Sequence, residues 1–199
     1  MEYDISDISK YIQIAKENHK KGNLHQANEI YKKLINQKIY TYDLLISYGL
    51  FNKEINNLKI AKNLFILSIK KYPLEVNSYI LLAEIFRKEE NFNEALKALI
   101  AAKKIDKSKS DIDYNLSILY KNNKLFREAI TSINSAIKQN PENQIYKILK
   151  ADIFIELFQN EEAKELLLNL KLEKDSLFYF QKEILISKIL INQKKYKLA

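Results

Sequence analysis

Small residues recur every 34 positions along this 199-residue chain, and they do so in two series. Ala27, Ala61, Ala95, Ala129 and Ala163 form one; Ala15, Gly49, Ala83, Ser117 and Ala151 form the other, twelve residues ahead of it. A fixed period of this length marks a stacked repeat, with one helix–turn–helix unit per period. The origin is steric. Where two helices cross closely, a side chain larger than a methyl group would push the backbones apart, so each helix supplies one small residue at the crossing. With the recurring Ala as position 20, units begin at Ile8, Tyr42, Val76, Ser110 and Gln144. The spacing predicts helix A over positions 1–14 and helix B over positions 17–30 of each unit. Residues 1–7 form a short leader, in which Ser6 or Asp7 is placed to cap the first helix.

Other columns keep the same register. Position 24 holds Tyr31, Phe65, Leu99, Ile133 and Leu167, all large and apolar, on the helix face of the small Ala four residues earlier. Position 17 holds Leu24, Leu58, Phe92 and Phe126, predicted to open helix B with a core anchor. Position 11 holds Phe86, Tyr120 and Phe154 in the later units but Asn18 and Asn52 in the first two. Both prolines, Pro73 and Pro141, fall at position 32, where the missing amide donor ends helix B. Gly22 falls in the turn between the helices of the first unit. So few glycines and prolines (two of each) argue against a turn-rich sheet protein.

These columns resemble the tetratricopeptide repeat (TPR) family, over residues 8–171 at least. Its pattern sets large apolar residues near positions 4, 7, 11, 17 and 24, small ones at 8, 20 and 27, and Pro at 32. The resemblance implies an all-α, right-handed α-solenoid of stacked antiparallel helix pairs, the TPR superhelix. Five units are expected at 8–41, 42–75, 76–109, 110–143 and 144–177. The fifth departs most, with Lys147 at position 4, Lys150 at position 7 and Asn160 at position 17. Residues 178–199 read as a partial sixth unit starting at Phe180, with Ile186, Ser187, Leu190 and Tyr196 at positions 7, 8, 11 and 17 and Ala199 at position 20. Ending inside that unit's second helix leads us to expect a longer polypeptide.

Chemistry is excluded by scarcity. The chain has no Cys, so disulfides and thiolate metal sites are ruled out. Its two glycines are too far apart for a phosphate-cradling loop. Its only histidines, His19 and His25, supply too few ligands for zinc, and no Ser-His-Asp arrangement is expected around them. Acid pairs such as Glu89-Glu90 and Glu161-Glu162 fall at helix B N-termini, where the helix dipole favours them. No enzyme activity and no cofactor are expected. The acidic, polar N-terminus is no secretory signal, and no apolar run is long enough to span a bilayer, so a cytoplasmic location without membrane contact is expected. The net charge of +8 is uneven: residues 8–41 carry +5, residues 110–143 carry 0 and residues 144–177 carry −2. Lys, Asn, Ile and Tyr are all abundant and share A/T-rich codons, which is a second source of the basic bias.

In the resembled family helices A line a concave groove, and positions 2, 5, 9, 12 and 13 face it. Carried over, position 5 gives an apolar stripe of Ile12, Ile46, Ile80, Tyr114 and Ile148. Position 9 adds Lys16, Leu50, Glu84, Ile118 and Asp152. Positions 12 and 13 give a basic rail of His19, Lys20, Lys53, Arg87, Lys88 and Lys121, fading at Ile155-Glu156. The resemblance implies a scaffold that binds a protein or peptide with apolar anchors and acidic flanks. The plainer alternative is that position 5 packs against the neighbouring helix A and that the lysines are ordinary solvated ones. A chaperone-tail clamp would need Lys at position 5 and Asn at position 9, where Ile12 and Lys16 stand. Nucleic-acid binding through the basic N-terminal half is the alternative function, with few groove aromatics to stack bases. Self-association through a C-terminal edge bearing Ile184, Ile189 and Ile191 is a third.

Overall fold

The computed structural model describes residues 7–197. Among the described residues it holds eleven α-helices and no strand. They fall into two compact units, one through Ile105 and one from Asp106. The first unit holds three helix pairs: α1 (Ile8–Lys20) with α2 (Leu24–Asn36), α3 (Tyr42–Glu54) with α4 (Leu58–Lys71), and α5 (Val76–Lys88) with α6 (Phe92–Ile105). The second holds α7 (Ser110–Asn122) with α8 (Phe126–Gln139), α9 (Gln144–Glu156) with α10 (Asn160–Leu168), and the longer α11 (Leu177–Lys197). Within each unit the second helix of a pair also packs against the next helix: α2 on α3, α4 on α5, α8 on α9 and α10 on α11. This is the stacking of an α-solenoid, in which every pair buries its apolar face on its neighbour.

All ten residues of the two small series are buried. Two contacts show how close the helices come. Ser117 Oγ donates to the carbonyl oxygen of Ala129 at 2.9 Å, joining the small residues of α7 and α8 directly. At Gly49 a Cβ atom would stand 2.3 Å from the buried ring of Phe65, so here even a methyl group is too large. The large position-24 residues Tyr31, Phe65, Leu99, Ile133 and Leu167 are buried beside these crossings, each no more than 1% exposed. Leu24, expected as an anchor, is 43% exposed instead. Its unit has Asn18 where later units set an aromatic ring, and Asn18 turns back to the Ile14 carbonyl at 3.0 Å.

The turn between the helices of each pair follows one plan. Gly22, Asn56, Glu90, Lys124 and Phe158 all stand at position 15, and all five have positive φ, between 57° and 78°. The next residue's amide reaches back to close the helix: Asn23 to Asn18 at 2.9 Å, Asn57 to Asn52 at 2.7 Å, Leu125 to Tyr120 at 2.9 Å. This is the Schellman closure, which needs a left-handed residue just past the helix. Glycine fills that place in the first pair alone; the other four hold an L side chain there at a steric cost.

The fifth pair departs from the plan, in keeping with its altered columns. Helix α10 spans 9 residues against 13 or 14 in the other second helices, and buries only Ala163 and Leu167. With Lys147, Lys150 and Asn160 at places that are apolar elsewhere, it has few anchors. Helix α11 runs without interruption to Lys197, past the turn expected near residues 194–195, since no Gly, Pro or Asn interrupts Gln193-Lys194-Lys195-Tyr196. Its buried residues are Leu185 and Ile189, whereas Ser187, expected as a crossing residue, is exposed. Ser6 and Ala199 lie outside the described residues.

Candidate functional site

The first helices of successive pairs lie side by side within each unit, and the side chains between them define two recesses. In the second unit α7, α9 and α11 enclose about 290 Å³ of space lined by Tyr114, Ile118, Lys121, Ile145, Ile148, Leu149, Asp152, Gln181, Ile184 and Leu185. Five of these (Tyr114, Ile118, Lys121, Ile148 and Asp152) belong to the groove columns read from sequence. Tyr114 stacks on Tyr146 with ring centroids 5.0 Å apart, which fixes its ring at one end. Ile118 is half-buried, and Ile184 is 62% exposed. The lining is thus mainly apolar and open, a form suited to anchoring an apolar side chain.

In the first unit α1 and α3 flank a recess of about 450 Å³ lined by Lys16, His19, Lys20, Tyr31, Ser47, Leu50 and Glu54. Lys16, His19, Lys20 and Leu50 belong to the groove columns of the sequence, while Tyr31 and Ser47 do not. Tyr31 comes from α2 and passes between the two flanking helices, stacked on Tyr48 at 5.1 Å. Burial and the nearby carboxylates of Asp43 and Glu54 push its phenol up to about 12.

The stripe is less open than a continuous groove. Ile12, Ile80 and Ile148 are only 2%, 7% and 6% exposed, so they pack between helices in the plainer manner allowed above. Ile46 is half-buried against the core around Phe65. The rail is not a free basic surface either. Lys53 pairs with Glu84, and Lys121 with Asp152. Lys16 pairs with Asp43 at 2.7 Å, and His19 Nε2 meets Glu54 at 2.9 Å. Each bond joins a first helix to the next one, so the cations form a ladder of cross-ties with acids that stand in separate columns of the sequence. Lys188 adds a further tie from α11, at 3.7 Å from Asp152 and 3.4 Å from Glu156. Lys20, Arg87 and Lys88 form no ion pair among the described residues.

Sequence reasoning misses Ile145 and Gln181 (position 2), Leu149 and Leu185 (position 6) and Ile184 (position 5) as recess residues. The signal is present: carrying the groove columns through position 2 and into the sixth unit finds all but Leu149 and Leu185. Tyr31 reads as a core ring, and only its hydroxyl, at a place filled by Phe or aliphatic residues in the other units, hints at more. At the C-terminal edge Ile184 and Ile191 are exposed, but Ile189 is 1% exposed and belongs to the core. No group of His, Asp or Glu able to hold a metal ion occurs among the described residues, and none of their helices is long and apolar enough to cross a membrane.

Residues 76–109 and 114–143 match the sequence model of the tetratricopeptide repeat. No curated protein matches the chain. Many solved structures share its fold. A tetratricopeptide repeat protein from Parabacteroides merdae aligns with TM-score 0.81 and 14% identity, over 98% of this chain and 75% of that one. A thermophilic TPR protein from Thermus thermophilus aligns with TM-score 0.75 and 12% identity, over 92% of this chain and 99% of that one. YrrB, a TPR protein with an unusual peptide-binding site, aligns with TM-score 0.63 and 16% identity, over 92% and 90% of the two chains. With two units matched in sequence and the same pairing, small-residue crossings and turn closure in the others, the chain has the fold of the tetratricopeptide repeat proteins.

Proposed function

We propose that this protein is a non-catalytic scaffold that binds a protein or peptide along the faces of its first helices. The observation that carries this reading is the apolar recess of the second unit, where Tyr114, Ile118 and Ile184 leave open surface beside the packed Ile148 and Leu185. A bound segment would insert one apolar side chain there, against walls already held in place by helix packing. Around the mouth, Lys121, Asp152 and Lys188 present charges of both signs, so orientation is set by polar contacts while affinity comes from burial. The fold shared with YrrB is consistent with peptide binding. Nucleic-acid binding is the weaker reading, because the cross-ties engage Lys16, Lys53 and Lys121, half of the groove lysines and arginines that would face a phosphate backbone.

The test is selection of peptides from a random library on the whole protein, followed by titration against Ile118→Asp. Ile118 is half-buried, so the variant is expected to stay folded by circular dichroism. Enriched peptides sharing an apolar residue and binding the variant at least ~10-fold more weakly are expected, since placing a charge in an apolar pocket costs more than about 1.4 kcal/mol. Peptides that bind the variant equally well, or no enrichment at all, would refute the reading.

A further inference from the structure

A third recess lies on the far side of α9 and shares no residue with the other two. At about 100° per residue, Lys147, Lys150 and Phe154 stand on the face of α9 opposite Ile145, Ile148, Leu149 and Asp152. They look toward α8 and α10, away from the neighbouring first helices. The sequence accounts for the open space. Positions 4 and 7 hold Leu45 and Tyr48 in the second pair and Tyr79 and Leu82 in the third, and Leu45, Tyr48 and Leu82 are buried there. The fifth pair has the half-buried stems of Lys147 and Lys150 instead, and about 470 Å³ stays open between α8, α9 and α10. Ile137, Phe154, Leu166 and Leu170 give this space an apolar floor.

Four charges border the floor without neutralising one another. Lys147 and Lys150 stand three apart on α9, and Glu162 and Glu165 three apart on α10. None of the four forms an ion pair among the described residues, whereas Lys121 and Lys188 of the same unit are tied to Asp152. Lys150 Nζ sits 5.4 Å from the centroid of the Phe154 ring, and the Glu162 carboxylate accepts only a long bond of 3.4 Å from Gln159. One wall thus offers cations, the other anions, with hydrocarbon between them and no net charge. A lone anion would meet the two glutamates, and a lone cation the two lysines. An uncharged apolar molecule would desolvate all four charges and pair with none of them. A small zwitterion with an apolar side chain satisfies both walls and the floor.

We propose that the recess between α9 and α10 binds a free apolar α-amino acid. Lys147 and Lys150 receive its carboxylate, Glu162 and Glu165 its ammonium, and Ile137, Leu166 and Leu170 its side chain. This site is separate from the peptide-binding face of the first helices and does not depend on it. The intact protein is titrated, with nuclear magnetic resonance detection, at about pH 6, where α-amino groups are charged. The probes are L-leucine, L-phenylalanine, the N-acetyl and amide derivatives of each, and glycine. N-acetylation leaves only the negative charge, amidation only the positive one, and glycine keeps both without an apolar side chain. At least one of the two apolar amino acids is expected to bind roughly tenfold tighter than its own derivatives and than glycine. Lys150→Gln is expected to weaken that amino acid and its N-acetyl derivative by roughly tenfold and to leave the amide unchanged. Glu162→Gln is expected to weaken the amino acid and the amide and to leave the N-acetyl derivative unchanged. A merely structural role for either side chain would not divide the derivatives in this way. Amino acids that bind no better than their derivatives or glycine, or that keep their affinity in both variants, would overturn the proposal. So would a lowered melting temperature in both variants without any ligand response, which would show the four charges closing on one another.

Discussion

Tyr31 shows how one atom separates a packing role from a chemical one. Its ring belongs to the core, and the 34-residue spacing places it there. Its hydroxyl titrates late, being pushed up to about 12 from an ordinary value of 10.0, first by burial and then by Asp43 and Glu54. Below pH 10 folded and unfolded chains both keep the proton and this site's contribution to stability is complete. As the pH rises through 10 toward 12 the unfolded chain loses its proton first, so stability falls by about 2–3 kcal/mol. Tyr31→Phe is expected to abolish that part of the alkaline loss, measured as urea midpoints from pH 8 to pH 12; an equal loss in both proteins would refute the assignment. Gly49 makes the opposite point. Alanine in a helix gains up to ~1 kcal/mol over glycine, yet its methyl group would meet the Phe65 ring at 2.3 Å. Gly49→Ala is expected to destabilise the protein by about 1–3 kcal/mol in urea unfolding, because the buried ring has to shift. Both small-residue series are plain in sequence. The need for glycine in place of alanine at Gly49 is not, because it depends on where one ring lies.

At the scale of elements, the repeated turn is the most regular feature of the chain and the one least supported by its residue types. Asn56, Glu90, Lys124 and Phe158 take the left-handed conformation that Gly22 takes freely. Lys124→Gly should therefore stabilise by about 0.5–1 kcal/mol, seen as a higher melting temperature; destabilisation would show that the lysine side chain contributes something the backbone argument omits. Helix α10 is the opposite case. With 9 residues and two buried side chains, its amides are expected to exchange with solvent faster than those of α8, which is 14 residues long, in hydrogen-exchange mass spectrometry. Equal protection would mean that packing with α11 makes up for the missing anchors. Most element boundaries are legible from the period, since repeated sequence imposes repeated structure. The short α10 and the unbroken α11 are not, because there the columns lose their apolar residues and the period has nothing to act on.

For the whole molecule, net charge and usable charge are different quantities. The chain carries +8, but Lys16, Lys53 and Lys121 are tied to acids on the next first helix. We expect affinity for a random DNA duplex no tighter than about 1 µM at physiological salt, the tight end of the ordinary non-specific range, in a fluorescence anisotropy series. Submicromolar, steeply salt-dependent binding would restore the nucleic-acid reading. The rail is legible as a row of cations, but its partners sit about 30 residues away and become neighbours only after stacking. Asp152 condenses that lesson. It receives Lys121 from α7 and Lys188 from α11, so one anion fastens three successive rods of the second unit. Any visitor that recruits Asp152 would slacken both fastenings together, and occupancy at one point would thereby be communicated along the row without a dedicated moving part.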